Sequence, residues 1–138
     1  MIANKLKRGD EVRVIAPSRN LTEVRQDVHH HAVDFWTNEG FNLTFSKYSR
    51  EVGKFHSSSI TSRVEDIHEA FLDPNVKMVI TCLGGFNANQ LLRHLDYDLI
   101  AKHPKILCAE PPGDRCRQSS LHSHTGAGSP ARCMFYIL

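Results

Sequence analysis

The sequence predicts an α/β fold, a parallel sheet flanked by helices, over residues 1–108, followed by an irregular tail over 109–138. Three observations carry this reading. Short β-rich runs alternate with helical patterns from Glu11 to Cys108. The connections between them are short, which favours parallel strands joined by right-handed crossovers. The run Val76-Lys77-Met78-Val79-Ile80-Thr81-Cys82 is nearly all apolar, as suits an interior strand covered on both faces.

The elements follow in order. Glu11 to Ala16 is rich in β-branched residues and stops at Pro17, which cannot continue a ladder, so it reads as the first strand. Ser18, Asn20 or Thr22 can cap the next element, with Glu23 in its first turn. Val24, Val28, His31 or Ala32, Phe35 and Trp36 then recur at helical spacing and predict one apolar stripe, which Gly40 ends. Phe41 to Phe45 alternates with period two, as a second strand. Residues 46–59 are a polar connection. A helix follows with Val64, Ile67, His68 and Phe71 on one face, closed by Asp73-Pro74-Asn75. After the apolar third strand come Gly84-Gly85, a helix carrying Ala88, Leu91, Leu92 and Leu95, a short helix at 97–102, and a last strand, Lys105 to Cys108.

A chain of 138 residues has room for one domain with a core and not for two. With 41% hydrophobic and 23% charged residues it has the balance of a globular protein rather than a disordered one. A formal charge of +2 without a basic stripe argues against a nucleic-acid partner. The longest apolar run, Met78 to Leu83, is too short to cross a bilayer, and residues 1–5 lack the apolar stretch of a signal peptide. The expectation is a cytoplasmic protein with no membrane partner. Cys82, Cys108, Cys116 and Cys133 include no Cys-x-x-Cys pair, so no redox motif or zinc ribbon is expected.

Ligands of open α/β sheets bind beyond the carboxyl ends of the strands. Three loops arrive there, Pro17-Ser18-Arg19-Asn20, Gly84-Gly85-Phe86-Asn87 and whatever follows Cys108, and the candidates are Pro17 and Ser18 of the first and all four residues of the second. Paired glycines permit positive φ and close approach to main-chain N–H groups, which at a helix N-terminus favour a carboxylate, a phosphate or an oxyanion. Alternatively, the glycines only make a tight turn and Asn87 caps the helix. Neither a Walker loop nor Gly-x-Gly-x-x-Gly is present.

Several strings, at 5–18, 57–60, 62–71, 73–77, 83–92 and 95–100, together resemble the N-terminal half of the serine LD-carboxypeptidases, peptidase family S66, in its microcin C immunity branch. They include Val14-Ile15-Ala16-Pro17-Ser18, Arg63-Val64-Glu65-Asp66-Ile67 and Leu83-Gly84-Gly85-Phe86-Asn87. The resemblance implies a flavodoxin-like domain of a cytoplasmic, cofactor-free, usually dimeric hydrolase. It implies cleavage of an amide next to a free carboxylate, in murein tetrapeptides or in the aminoacyl-nucleotide of processed microcin C. Catalysis in that family uses a Ser-Glu-His triad, with Ser on an elbow after the last of these strands and Glu and His from a C-terminal domain. The Gly84–Asn87 loop corresponds to the one beside the nucleophile, where an N–H can serve the oxyanion.

The sequence departs from this pattern after Cys108. The nucleophile position falls on Pro111, which has no hydroxyl, and Pro112 follows it. The expectation is therefore a truncated LD-carboxypeptidase-like serine hydrolase without activity and with no catalytic residue of its own. Its alternatives are a non-catalytic carboxylate- or phosphate-binding module, or an interaction partner of a full-length homologue. The tail reads either as a linker or as the product of a shifted reading frame: codons for 114–118, read one base later, can encode Thr-Ala-x-x-Asn, a family string.

No metal is expected. His29-His30-His31 point around a helix in different directions and read as solvated surface. Cys116, His122, His124 and Cys133 match no common zinc spacing. His68 reads as a core or interface histidine. Glu65, Asp66 and Glu69 read as a charged helix face with Arg63 and Lys77 as partners.

Overall fold

A computed structural model describes residues 3–109 and the pair 134–135. The chain builds β1 (Glu11–Ile15), α1 (Gln26–Asn38), β2 (Asn42–Phe45), α2 (Ile60–Leu72), β3 (Val76–Thr81), α3 (Tyr97–Lys102), β4 (Ile106–Ala109) and β5 (Met134–Phe135). Short 3-10 helices occupy Leu21–Glu23, Lys54–His56 and Ala88–His94. The sheet order is β2-β1-β3-β4-β5. The first four strands are parallel, and β5 adds antiparallel to β4 through Cys108–Phe135 and Ala109–Met134. This short strand interrupts the irregular tail that the sequence suggested.

All four expected parallel strands form, each within a residue or two of the expected ends. The first crossover runs one way along the sheet and the next two run the other. Right-handedness therefore places α1 on one face and α2 with α3 on the opposite one. On the second face Ile15, Ile67, Ala70, Phe71, Val76, Val79, Leu91 and Ile100 make the core, with Val64, Leu95, Leu99 and Leu107 packed against it.

Helix α1 departs from expectation. The element that Asn20 caps is the 3-10 turn at 21–23, through a 2.9 Å bond from the Thr22 N–H, and α1 begins after it. None of its residues is fully buried, and Val28 and Phe35 of the expected stripe are 49% and 58% exposed. The less exposed positions are His29, Val33 and Trp36. Trp36 meets Phe41 edge-on with ring centroids 5.6 Å apart, and the His29 ring lies 5.1 Å from that of Phe45. The helix is rotated from its expected orientation because these rings, not the aliphatic residues, fill the space over β2. Gly40 ends the helix as expected, in a left-handed conformation at φ 87°.

The charged face expected on α2 is also divided differently. Arg63 and Asp66 are each only 4% exposed. Asp66 accepts a 2.7 Å bond from Ser46 Oγ and a 3.2 Å bond from the Tyr48 N–H, fastening the 46–49 turn to the helix. Glu69 pairs with Arg13 at 2.5 Å, and Arg13 also meets Glu11 at 2.8 Å and Asp73 at 3.2 Å. Lys77 donates to the Pro74 carbonyl instead. His68 accepts at Nε2 from the Asp96 N–H, 2.9 Å away, which joins α2 to the start of α3.

Candidate functional site

The carboxyl ends of β1, β3 and β4 converge on a cavity of about 240 Å³. Its walls include Pro17, Ser18, Leu83, Gly84, Gly85, Phe86 and Ala109. With strand order 2-1-3-4, the gap between β1 and β3 is the point where the crossovers change direction, where such sheets open a crevice for ligands. A larger depression, about 570 Å³, is formed by Thr61, Val64, Glu65, His68, Glu69, Leu72 and Asp73. It draws on α2 and the residue after it, and no loops from separate strands converge there.

The two expected loops, 17–18 and 84–87, do meet. Ser18, 2% exposed, donates from Oγ to Asn87 Oδ1, and Asn87 Nδ2 donates to Ser57 Oγ at 2.6 Å. Asn87 therefore bridges two buried serines and does not use its side chain as a helix cap. The glycines also serve a purpose other than the expected one. Positive φ among glycines is found at Gly9 and Gly40, not at the pair. At Gly85 the requirement is space: a Cβ there would overlap Ser18 Oγ and lie 2.9 Å from Ser18 Cβ. The segment that follows is a seven-residue 3-10 helix, too short and irregular to supply the helix-terminus field expected of it. Phe86 projects from the rim, 80% exposed.

Two groups that sequence reasoning gave no role in the site hold it together. Phe55 and His56 both adopt φ 57°, a left-handed conformation that costs about 1–2 kcal/mol per residue. The turn directs the His56 carbonyl to the Asn20 N–H at 2.8 Å and buries Ser57 and Ser58. Arg63 reaches across from α2. It donates from Nη1 to the Pro17 carbonyl at 3.0 Å and the Asn87 carbonyl at 3.3 Å, and from Nη2 to Gln90 Oε1 at 3.0 Å. One side chain thus ties both loops to the helix. Its signal was its spacing: Arg63 stands four residues before Ile67, on the buried stripe that continues to Ala70 and Phe71.

Above the cavity, Arg19 donates from Nε to the Gly84 carbonyl at 3.2 Å. Cys82 Sγ lies 3.5 Å from the Arg19 carbonyl, and burial pushes its thiol up to about 11. Among the described residues no serine hydroxyl contacts a histidine ring, and no group of three His, Cys, Asp or Glu side chains is placed to hold a metal ion. Pro111, the expected nucleophile position, and the remaining tail positions discussed from the sequence, including Cys116, His122, His124 and Cys133, lie outside the described residues.

A family model, the LD-carboxypeptidase N-terminal domain, matches residues 12–108. The chain belongs to the LD-carboxypeptidase family, peptidase S66. Among its S66 relatives, a putative carboxypeptidase, YocD, of Bacillus subtilis is 47% identical over 108 residues, 78% of this chain and 33% of YocD. The crystal structure of an MccF-like protein from Bacillus anthracis superposes with a TM-score of 0.77 at 54% identity, over 78% of this chain and 33% of that one. The microcin C7 self-immunity protein MccF, solved in complex with aspartyl sulfamoyl adenosine, superposes at 0.71 with 29% identity, over 78% of this chain and 32% of MccF. The chain spans about a third of the length of these S66 relatives.

Proposed function

We propose that this S66 chain keeps the ligand-facing wall of an LD-carboxypeptidase site and does not carry out the triad reaction. The observation that carries the reading is the cavity between the β1 and β3 ends, with Gly84, Gly85 and Phe86 on one side, Pro17 and Ser18 on the other, and Asn87 bonded to Ser18 behind them. Gly85 lets the second loop close against Ser18. The Ser18–Asn87–Ser57 chain then fixes where the main-chain groups of the loop sit. Such a wall can orient a small peptide or an aminoacyl-nucleotide, the ligand type seen on MccF.

Hydrolysis asks for more. A serine nucleophile needs an imidazole to take its proton and a carboxylate to hold that imidazole. Ser18 spends its proton on Asn87 Oδ1, away from any described imidazole. The position that resemblance assigns to the nucleophile is Pro111. On this reading residues 1–108 act as one binding domain, and 109–138 form a tail whose Met134–Phe135 pair extends the domain's sheet. The domain works alone, as a homodimer, or paired with an intact homologue. No described helix is long and apolar enough to cross a membrane. The cytoplasmic location belongs to the reading through the family resemblance alone.

Aspartyl sulfamoyl adenosine added to the 138-residue chain tests this. A raised melting midpoint with the acyl-sulfamate left intact is the expected result. Release of aspartate that survives repeated purification overturns the inactive reading, and no shift at millimolar ligand overturns the binding one.

A further inference from the structure

Arg63 is 4% exposed, yet among the described residues no carboxylate pairs with it. Its partners are the carbonyls of Ser59, Pro17 and Asn87 and the amide oxygen of Gln90, all neutral. Arg13 makes the contrast, with three carboxylates around one guanidinium. Burying a cation costs several kcal/mol unless something compensates it, and neutral acceptors orient the charge without cancelling it. Burial is the influence on Arg63, pulling its pKa down, but a guanidinium stays protonated throughout the working range.

This uncancelled charge has a definite place. It lies directly behind Pro17, a wall of the strand-end cavity, and behind Asn87, which holds the opposite loop. Water cannot screen a buried charge well, so its field extends into the cavity. A clamp alone would not require a charge, since the bonds could be made by a neutral donor or by an arginine paired with an acid.

We infer that Arg63 is a positioning and specificity residue whose buried charge suits the cavity between the Pro17–Ser18 and Gly84–Asn87 loops to a carboxylate. It acts through the field of its charge and through the loops it holds, not by touching the ligand. The inference rests on the proposed reading of this cavity as a ligand site. Arg19, exposed beside Gly84, adds a second positive charge that salt screens.

The test uses two probes of one shape, acetate and acetamide, titrated into the full chain at about 0.3 M salt, where exposed charges are screened. Amide shifts of Gly84 and Gly85 in nuclear magnetic resonance are the readout. Wild type is expected to prefer acetate by about tenfold, a size that follows from one poorly screened charge nearby. Arg63→Gln should abolish the preference while acetamide still binds. Arg63→Lys, which loses the fork but keeps the charge, should retain the preference at weaker affinity for both probes, and it decides the matter if Arg63→Gln does not fold. No preference in wild type, a preference that survives Arg63→Gln, or its loss in Arg63→Lys each overturns the inference. A chain that binds both probes equally but still binds aspartyl sulfamoyl adenosine keeps its ligand site and loses only this role for Arg63.

Discussion

Asn87 and Ser57, thirty residues apart in sequence, share a 2.6 Å hydrogen bond inside the protein. The bond joins the loop after β3 to a strained turn before α2, and Asn87 continues the chain of bonds to Ser18 after β1. Three connections are thus locked by one amide. Asn87→Ala should leave two buried hydroxyls without this partner and lower stability by about 1–3 kcal/mol. Urea unfolding of wild type and variant measures this, and an unchanged midpoint would show that water replaces the amide at no cost.

Gly85 and Ser18 predict a coupling. Gly85→Ala drives a methyl into the Ser18 side chain and should cost about 1–3 kcal/mol, as overpacking of a tight contact does. Ser18→Gly removes the obstructing atoms, so in the double variant the second change should cost much less than it does alone. A double-mutant cycle on thermal midpoints reads the difference. Additive losses would mean that the loop, not Ser18, resists the methyl.

Asp66 predicts a pH dependence of defined sign. Burial raises its carboxyl above the ordinary 3.8, and Glu69 and Glu65 add to the rise, while bonds from Ser46 and the Tyr48 N–H oppose it. A raised folded-state value means that folding favours the protonated form. Its contribution is complete below 3.8 and is lost as pH rises through the folded value. The stability of wild type relative to Asp66→Asn should therefore fall as pH rises from 3.8 through the folded-state value. A difference that grows over this window would reverse the sign and refute the assignment.

Cys82 predicts slow chemistry. With its thiol pushed from 9.0 up to about 11, the thiolate fraction near pH 8 is about a hundredfold below that of an unperturbed cysteine. Alkylation by iodoacetamide, followed peptide by peptide in mass spectrometry, should be slower by about that factor in the folded chain and recover in urea. Rapid labelling in the native protein would contradict the burial of this thiol.

The sheet was legible in the sequence because strands such as Val76–Thr81 carry their signal in local composition. So was α2, whose apolar spacing agrees with its core face. The site was legible in its loops but not in their reasons. Gly84-Gly85 suggested backbone conformation, whereas Gly85 is needed because Ser18 crosses it, a contact between residues far apart in the chain. Arg63 and Asp66 read as surface because charged residues usually are, and only the neighbours brought by folding make their burial bearable. Helix α1 failed for a related reason. Its spacing predicted one apolar stripe through Val28 and Phe35, whereas the rings of Phe41 and Phe45 selected the face bearing His29 and Trp36.

The strand order also has a consequence in time. β1 is made first but lies between β2 and β3, with Ile15 paired to Thr81. A ribosome adding about ten residues per second finishes β3 roughly six seconds after β1. Throughout that interval one edge of the nascent β1 has no native neighbour, and an unpaired edge invites pairing with another chain. Arg13, in the middle of β1, supplies a charge of the kind that discourages such pairing while its partners Glu69 and Asp73 are still unmade. The residue that ties β1 to α2 in the finished protein would then be a guard against aggregation during synthesis.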